Sequence, residues 1–368
     1  MTKVKFEDVA TRVNTREDRL NTSLLYYVGG EHIESNEMLV QGCGLIKGST
    51  IGPMFYCGFK KGDILLVSRN PHLRKASMVE FDGICSEKTF VLGTKDSKVL
   101  LQEFLALVMQ SDDFWNYCEE HKSGGVNYFL NWSTLAKYEF YLPSIQEQKE
   151  IADKVWSAYR LKESYKKLLV ATDEMVKSQF IEMFKEKGYP LRMLKSFADV
   201  STGGTPSKAN LEYWNGDKPW VSAEDMKNKY VYDTCEKVTE AGYATCKIIP
   251  VDTLMYVCRG SIGVMAINKI ECATNQSICR AKCHDNVCNV EFLYHALMYQ
   301  KDNIKKMGTG TSFKSLNQTS FSELKIELPP YNEQMKFVSI AQQADKSEFE
   351  LRKSIDAIDQ VIKSLINN

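Results

Sequence analysis

Cys272, Cys279, Cys283 and Cys288, with His284 among them, form the densest run of metal-ligating side chains in the sequence. Structural zinc sites favour two to four residues within each ligand pair, whereas the gaps here are six, three and four. Thiols buried in a β-rich core are the better reading. Leu328-Pro329-Pro330-Tyr331 has the outline of a turn that receives a substrate amine. Its first residue would have to accept hydrogen bonds, and leucine cannot. The prolines instead suit the first turn of a helix. In Gly42-Cys43-Gly44-Leu45-Ile46-Lys47-Gly48-Ser49 the lysine precedes the last glycine, so it cannot meet a terminal phosphate as a phosphate-loop lysine does. Glu323-Leu324-Lys325 could close a nuclease strand, but no Pro-Asp partner stands upstream. Five scattered histidines offer no nucleophile–base pair. The residues describe a binder, with no catalytic, metal or cofactor site expected in the chain itself.

What such a binder could hold is written in its loops. Thr202, Gly203, Gly204, Thr205, Ser207 and Lys208 combine hydroxyls, backbone N–H groups and an ammonium. That mixture suits phosphate contacts, and equally an ordinary polar loop. Lys301, Lys305 and Lys306 precede a glycine loop ending in Phe313 and Lys314, and make the best basic cluster of the chain. The first half has a counterpart in Lys122, Asn127 and Tyr128, around Gly124 and Gly125. Arg69 and Arg259 each follow an apolar β-run. An arginine there serves either as a bidentate guanine reader or in a surface ion pair.

The loops recur because the chain is a duplication. Leu142-Pro143 with Glu147-Gln148 returns 186 residues later as Leu328-Pro329 with Glu333-Gln334, and Asn131 and Gly124 return as Asn317 and Gly310. Upstream the offset drifts to 193, where Val28-Gly29-Gly30-Glu31 faces Val221-Ser222-Ala223-Glu224. A repeat of this length is a duplicated domain and not a solenoid unit. The expected order is a mixed α/β domain at 1–144, a long helix at 145–188, a second α/β domain at 189–330 and a second long helix at 331–368. Each domain holds short β-rich runs such as Asp63-Ile64-Leu65-Leu66-Val67 and Asp252-Thr253-Leu254-Met255-Tyr256-Val257. Each also holds one amphipathic helix, carrying Leu101, Phe104, Leu105, Val108, Asp112 and Trp115 in the first and Phe292, Leu293, Ala296, Leu297 and Ile304 in the second.

The long helices show a heptad seam. In the second helix it runs through Phe337, Ala341, Leu351, Ile355, Ile358, Ile362 and Leu365, with Glu348 as its charged member. In the first, Ile151, Val155, Tyr165, Leu169 and Val176 repeat the register around Lys162. Two such stripes would be wet if each stood alone, so they are expected to bury each other as an antiparallel coiled coil.

Composition sets limits. The chain has 368 residues, 43% hydrophobic and 11% aromatic, which is ordinary globular protein. No apolar run approaches the ~20 residues that span a bilayer, and the first residues lack a signal-peptide core. Eleven scattered cysteines suit a reducing, cytoplasmic compartment better than a disulfide framework. Residues 1–144 carry 16 basic and 18 acidic side chains, and residues 189–330 carry 17 and 15. Neither domain can coat phosphates by bulk charge, so an anionic partner must be met by local patches.

With these residues in view the chain resembles the specificity subunit of type I restriction–modification systems. Ser201-Thr202-Gly203-Gly204-Thr205-Pro206-Ser207, Tyr213-Trp214 and Pro219-Trp220-Val221-Ser222-Ala223-Glu224 look like the opening of that family's target recognition domain. The Leu-Pro and Glu-Gln phrases at 142–148 and 328–334 look like its spacers. The first domain lacks the Thr-Gly-Gly-Thr-Pro phrase. The resemblance implies two recognition domains held apart by antiparallel helices in a pseudo-twofold molecule, each domain reading half of a split double-stranded DNA target. It implies two docked DNA methyltransferase subunits, which restriction subunits can join. S-adenosylmethionine, ATP and magnesium would belong to those partners. The rival reading is a scaffold that binds protein and not DNA, assembled through the helices.

Overall fold

The protein is described here by a computed structural model covering residues 2–307 and 316–367. It forms two compact units, Met1–Lys167 with Leu351–Asn368, and Leu168–Glu350. Each unit combines one α/β domain with a portion of both long helices.

The apolar β-runs explain the layering of both units. Successive side chains of a strand point to opposite faces, so an unbroken apolar run must be covered on both. In the first unit the strand Ile64–Val67 lies between Thr89–Thr94 and Ala76–Met78 in an antiparallel sheet. Ile64 and Leu66 enter a core with Phe104, Leu105, Phe114 and Trp115, while Leu65 enters a second core with Val28, Ile33 and Phe59. The second unit repeats the scheme on the strand Leu254–Val257, which lies between Ile278–Cys283 and Met265–Asn268. Leu254 and Tyr256 face Phe292, Leu293 and Phe321, whereas Met255 and Val257 face Val221, Ile249 and Cys272.

The most closely repeated phrase of the sequence turns out to be a latch. Gln148 is fully buried; its Oε1 accepts from Leu101 N–H at 3.0 Å, and its Nε2 donates to the carbonyls of Val99 and Pro143 at 2.9 and 3.0 Å. Gln334 is fully buried too, accepting from Asn289 N–H and donating to the carbonyls of Val287 and Pro329, all at 2.9 Å. Each glutamine makes three hydrogen bonds, with both N–H groups used, at the start of a long helix and ties that start to the segment leading into the domain's amphipathic helix. A buried amide so satisfied costs little; losing a partner would strand backbone groups at about 1–3 kcal/mol each.

The long helices span Ile145–Phe184 and Tyr331–Asn367. In the first unit Ala152, Val155, Trp156 and Tyr159 pack into the domain core, joined from the second helix by Ile362, Ile358 and Leu365. Lys162 meets Asp359 at 2.8 Å. In the second unit Val176, Phe180 and Phe184 pack with Phe337, Ala341 and Ala344, the Phe184 and Phe337 rings lying 5.6 Å apart. Of the remaining expected seam residues, Ile151 is half-buried against the first unit's core, and Tyr165, Leu169, Leu351 and Ile355 are half-buried.

One expectation is corrected. The single amphipathic helix through Leu101–Trp115 is two helices, Gln102–Val108 and Asp112–Glu120. Helical spacing runs through the junction, but the Ser111 hydroxyl accepts from Phe114 N–H and so caps a new start. Cys258 and Cys279 stand side by side on paired backbone, with Cα atoms 6.1 Å apart and their sulfurs facing each other. Nine described cysteines are free. The zinc-like run is dispersed, with Cys272 in the Val221 core and Cys279 beside Cys258.

Candidate nucleic-acid interface

In the first unit the glycine loop folds back on the strand end that carries Arg69. Ser123 and Phe129 exchange N–H···O bonds of 2.9 Å in both directions, closing the loop between them. Gly124 takes φ +100°, and a Cβ there would stand 2.6 Å from the Asn127 carbonyl, so the turn needs glycine. Asn70 N–H donates to the Tyr128 carbonyl at 2.9 Å, and Leu130 N–H to the Ser68 carbonyl at 2.8 Å. Four expected residues thereby come together. The Arg69 guanidinium lies 5.4 Å from the Phe129 ring centre, and the Lys122 ammonium 4.3 Å from that of Tyr128. Lys122 also pairs with Glu119 at 2.6 Å, which offsets part of its charge. Asn127 is exposed, and Val126 stands 93% exposed at the tip. Lys88 reaches the same strand end, since Ser68 N–H and hydroxyl both donate to its carbonyl. That neighbourhood was not legible because the contact joins residues twenty apart.

In the second unit three strand ends share one sheet edge. Thr202 pairs with Cys279 and Val257 with Ile278, which gathers the loops after 202, after 257 and before 278. Leu316 N–H donates to the Cys258 carbonyl at 3.0 Å. This is the Leu130–Ser68 contact again, and in both units the next residue is the arginine. Arg259 is exposed. Phe313 and Lys314 lie outside the described residues. Lys305 and Lys306 lie in the last turn of the helix Val290–Met307, and their side chains are outside the described set. Lys301 is half-buried on that helix, and no described contact ties it to the edge.

The loop from Thr202 to Lys208 is anchored by its carbonyls. Trp220 Nε1–H donates to the Gly204 carbonyl at 3.1 Å and Trp214 Nε1–H to that of Ser207 at 3.2 Å. Gly204 N–H donates to the Thr274 carbonyl at 2.8 Å. A Cβ on Gly203 would stand 2.0 Å from the same oxygen, so only glycine fits there. The Thr205 hydroxyl bonds Gln276. Lys208 lies 4.7 Å over Trp214 and pairs with Glu236 at 3.2 Å. Gln276 and the tryptophans were missed as site residues, although Trp214 and Trp220 stood in the recognised phrase.

The arrangement comprises exposed loops, arginines next to strand ends and aromatic rings beside cations. Similar proteins bear on their meaning. The specificity subunit of the type I restriction enzyme MjaIX from Methanocaldococcus jannaschii is 28% identical over 208 residues, 53% of this chain and 48% of that protein. A type I restriction enzyme specificity subunit of Escherichia coli is 31% identical over 171 residues, 44% and 42% of the two chains. Each match thus spans less than half the length of the relative. In fold, the chain is similar to the S subunit of a type I restriction–modification system from M. genitalium, with TM-score 0.66 and 16% identity over 99% of this chain and 94% of that one. It is also similar to a chain from a structure on assembly and conformational transition of the type I restriction–modification system, with TM-score 0.60, 16% identity and coverage of 99% and 96%. Residues 27–169 and 186–360 match the type I restriction modification DNA specificity domain, and the chain belongs to that family.

Proposed function

We propose that the chain recognises double-stranded DNA in a sequence-specific manner, each α/β domain reading one half of a split target. The observation that carries this reading is a backbone contact repeated at an apolar strand end, Leu130 N–H to the Ser68 carbonyl and Leu316 N–H to the Cys258 carbonyl, with Arg69 and Arg259 next in line. Rigid strands present the arginines, and the loops supply phosphate-facing groups, which divides the labour between base readout and positioning. Two copies of one device on one chain fit two half-sites. In this reading the chain is a recognition subunit with no chemistry of its own. Methyl transfer from S-adenosylmethionine belongs to two docked methyltransferase subunits, and magnesium- and ATP-dependent work to restriction subunits that join them. No helix among the described residues is long and apolar enough to cross a membrane; the cytoplasm is proposed because the proposed DNA target lies there.

Selection of duplexes from a random library by the full-length chain tests the reading. Enrichment of two fixed half-sites at a constant gap is the expected result. Failure to enrich any duplex, with stable capture of another protein, would turn the assignment toward a protein scaffold. Methylation mapping of host DNA with and without the gene gives the same answer in the cell.

A further inference from the structure

Arg280 is the least expected side chain of the second unit. It lies on the strand Ile278–Cys283 and is 1% exposed. Its guanidinium donates to the Lys247 carbonyl at 2.6 Å, the Thr202 carbonyl at 2.6 Å and the Ser201 hydroxyl at 3.0 Å. Its Nε–H has no partner, and neither does the hydroxyl of Thr274, which lies against Gly203. No carboxylate stands within ion-pair distance of it among the described residues. A buried cation held only by neutral oxygens is costly unless an anion comes near. Arginine cannot escape that cost by losing its proton.

The loop Gly204–Lys208, which follows the Thr202 carbonyl held by Arg280, is arranged to receive such an anion. In a planar trans peptide the carbonyl and the following N–H point in opposite directions. With the Gly204 carbonyl turned onto Trp220 and the Ser207 carbonyl onto Trp214, the N–H groups of Thr205 and Lys208 face away from the tryptophans. Neither N–H donates to any acceptor among the described residues. A Cβ at Gly204 would meet nothing within 4 Å, so space lies open on that side. Lys208 adds an ammonium, but Glu236 offsets it, which leaves Arg280 as the uncompensated charge.

We propose that the tryptophan-pinned loop Gly204–Lys208, with buried Arg280 holding the Thr202 carbonyl at its root, is a clamp for one backbone phosphate of duplex DNA. It positions the second domain on the helix and reads no base. The inference rests on the DNA reading above. Arg280 is a positioning residue that acts through the field and through the Thr202 carbonyl, while Lys208 and the two N–H groups touch the phosphate. The charge arrangement implies a gain-of-function variant: Glu236→Gln would release Lys208 toward the phosphate.

The test uses the full-length chain, duplexes that it selects, and unrelated duplexes, with affinity measured across a salt titration. Glu236→Gln should tighten binding to every duplex about threefold to tenfold. Lys208→Ala should weaken it by a similar factor and lower the salt slope by about one. Arg280→Met should weaken binding across all sequences while leaving base preference unchanged. Should Arg280→Met fail to fold, Glu236→Gln and Lys208→Ala are surface changes that decide alone. Unaltered affinity and salt slope in these variants, with wild type still bound to DNA, would overturn the clamp and spare the DNA reading. A shift in preference at one base pair would make the loop a base reader and also overturn it. Inorganic phosphate is the control: if it raises the melting temperature of wild type but not of Lys208→Ala, while duplex binding is alike in both, the site takes a free anion. Absence of duplex binding by wild type would overturn both readings.

Discussion

Arg69 and Arg259 occupy the same place in the repeat but differ in setting. Arg69 is half-buried beside the Phe129 ring, whereas Arg259 is exposed at its sheet edge. An exposed guanidinium on a rigid strand end is free to form a bidentate pair with guanine. Arg259→Ala should therefore relax preference at one base pair of one half-site, by about 1–3 kcal/mol. Library selection with the variant checks this, and an unchanged consensus would show that Arg259 reads no base. Glu37 makes a second prediction at this scale. Burial pushes its carboxyl upward, but Lys166 at 2.9 Å, Lys162 at 3.7 Å and the Tyr159 hydroxyl outweigh burial and hold it below its ordinary value of 4.5. A depressed carboxyl stabilises the fold in full above the unfolded value and loses that contribution as pH falls through the folded one. The first unit should lose stability below about pH 4.5, and Glu37→Gln should remove that part of the acid sensitivity while costing about 1–3 kcal/mol at neutral pH. Parallel acid melts of wild type and variant check it; equal acid sensitivity would place the titrating group elsewhere.

Among the elements, each domain is fastened to a long helix by a buried charged cluster, and the two clusters have opposite polarity. In the first unit the acid sits on a domain loop, Glu37, and the bases on the first long helix, Lys162 and Lys166. In the second unit the base sits on the domain, Lys229, and meets Asp345 of the second long helix at 2.7 Å and Glu291 at 2.9 Å. Lys229→Met leaves two acids under-compensated, and should cost about 3–5 kcal/mol in urea unfolding. Adding Asp345→Asn should recover part of that loss; strict additivity would mean that the pair does not interact. The sequence displayed the helices, their stripes and the duplication, because these rest on local periodicity. Lys162 looked like a flaw in the stripe, since Glu37 and Asp359 are far away in the chain. The helix start at Ser111 was hidden by apolar residues that keep helical spacing across the break. At the candidate interface, Arg69, Lys122, Asn127 and Tyr128 were visible as residue types on glycine-bearing loops. Arg280 was not, because an arginine in a β-run signals nothing until its oxygen partners, 78 and 79 residues away, are in place.

For the molecule as a whole, the proposed function makes helix length the measure of the gap between half-sites. The stretches suited to shortening are those that carry no buried side chain. No residue from 163 to 175 of the first helix or from 345 to 361 of the second is buried. Within the first unit Lys162 faces Asp359, and within the second Phe184 faces Phe337; both pairs of numbers have the same total, which defines the opposed heptads. Deleting Leu168–Glu174 together with Ser347–Lys353 removes one heptad from each helix. It spares Glu37, Lys162, Lys229 and Asp345, and turns each helix by only ~20° relative to its seam. Each helix loses about 10 Å at 1.5 Å per residue. Both domains keep their loops, so each should select its old half-site. The gap should shorten by about three base pairs at ~3.4 Å per step. Three pairs also turn the duplex by roughly a hundred degrees at ~10.5 pairs per turn, so the variant should bind more weakly unless the DNA twists, at a cost set by the gap sequence. Selection from a library with fixed half-sites and variable gaps separates the two effects. A shorter preferred gap at reduced affinity is expected; recovery of the original gap would show that the spacing is set by the domains or their partners and not by the helices.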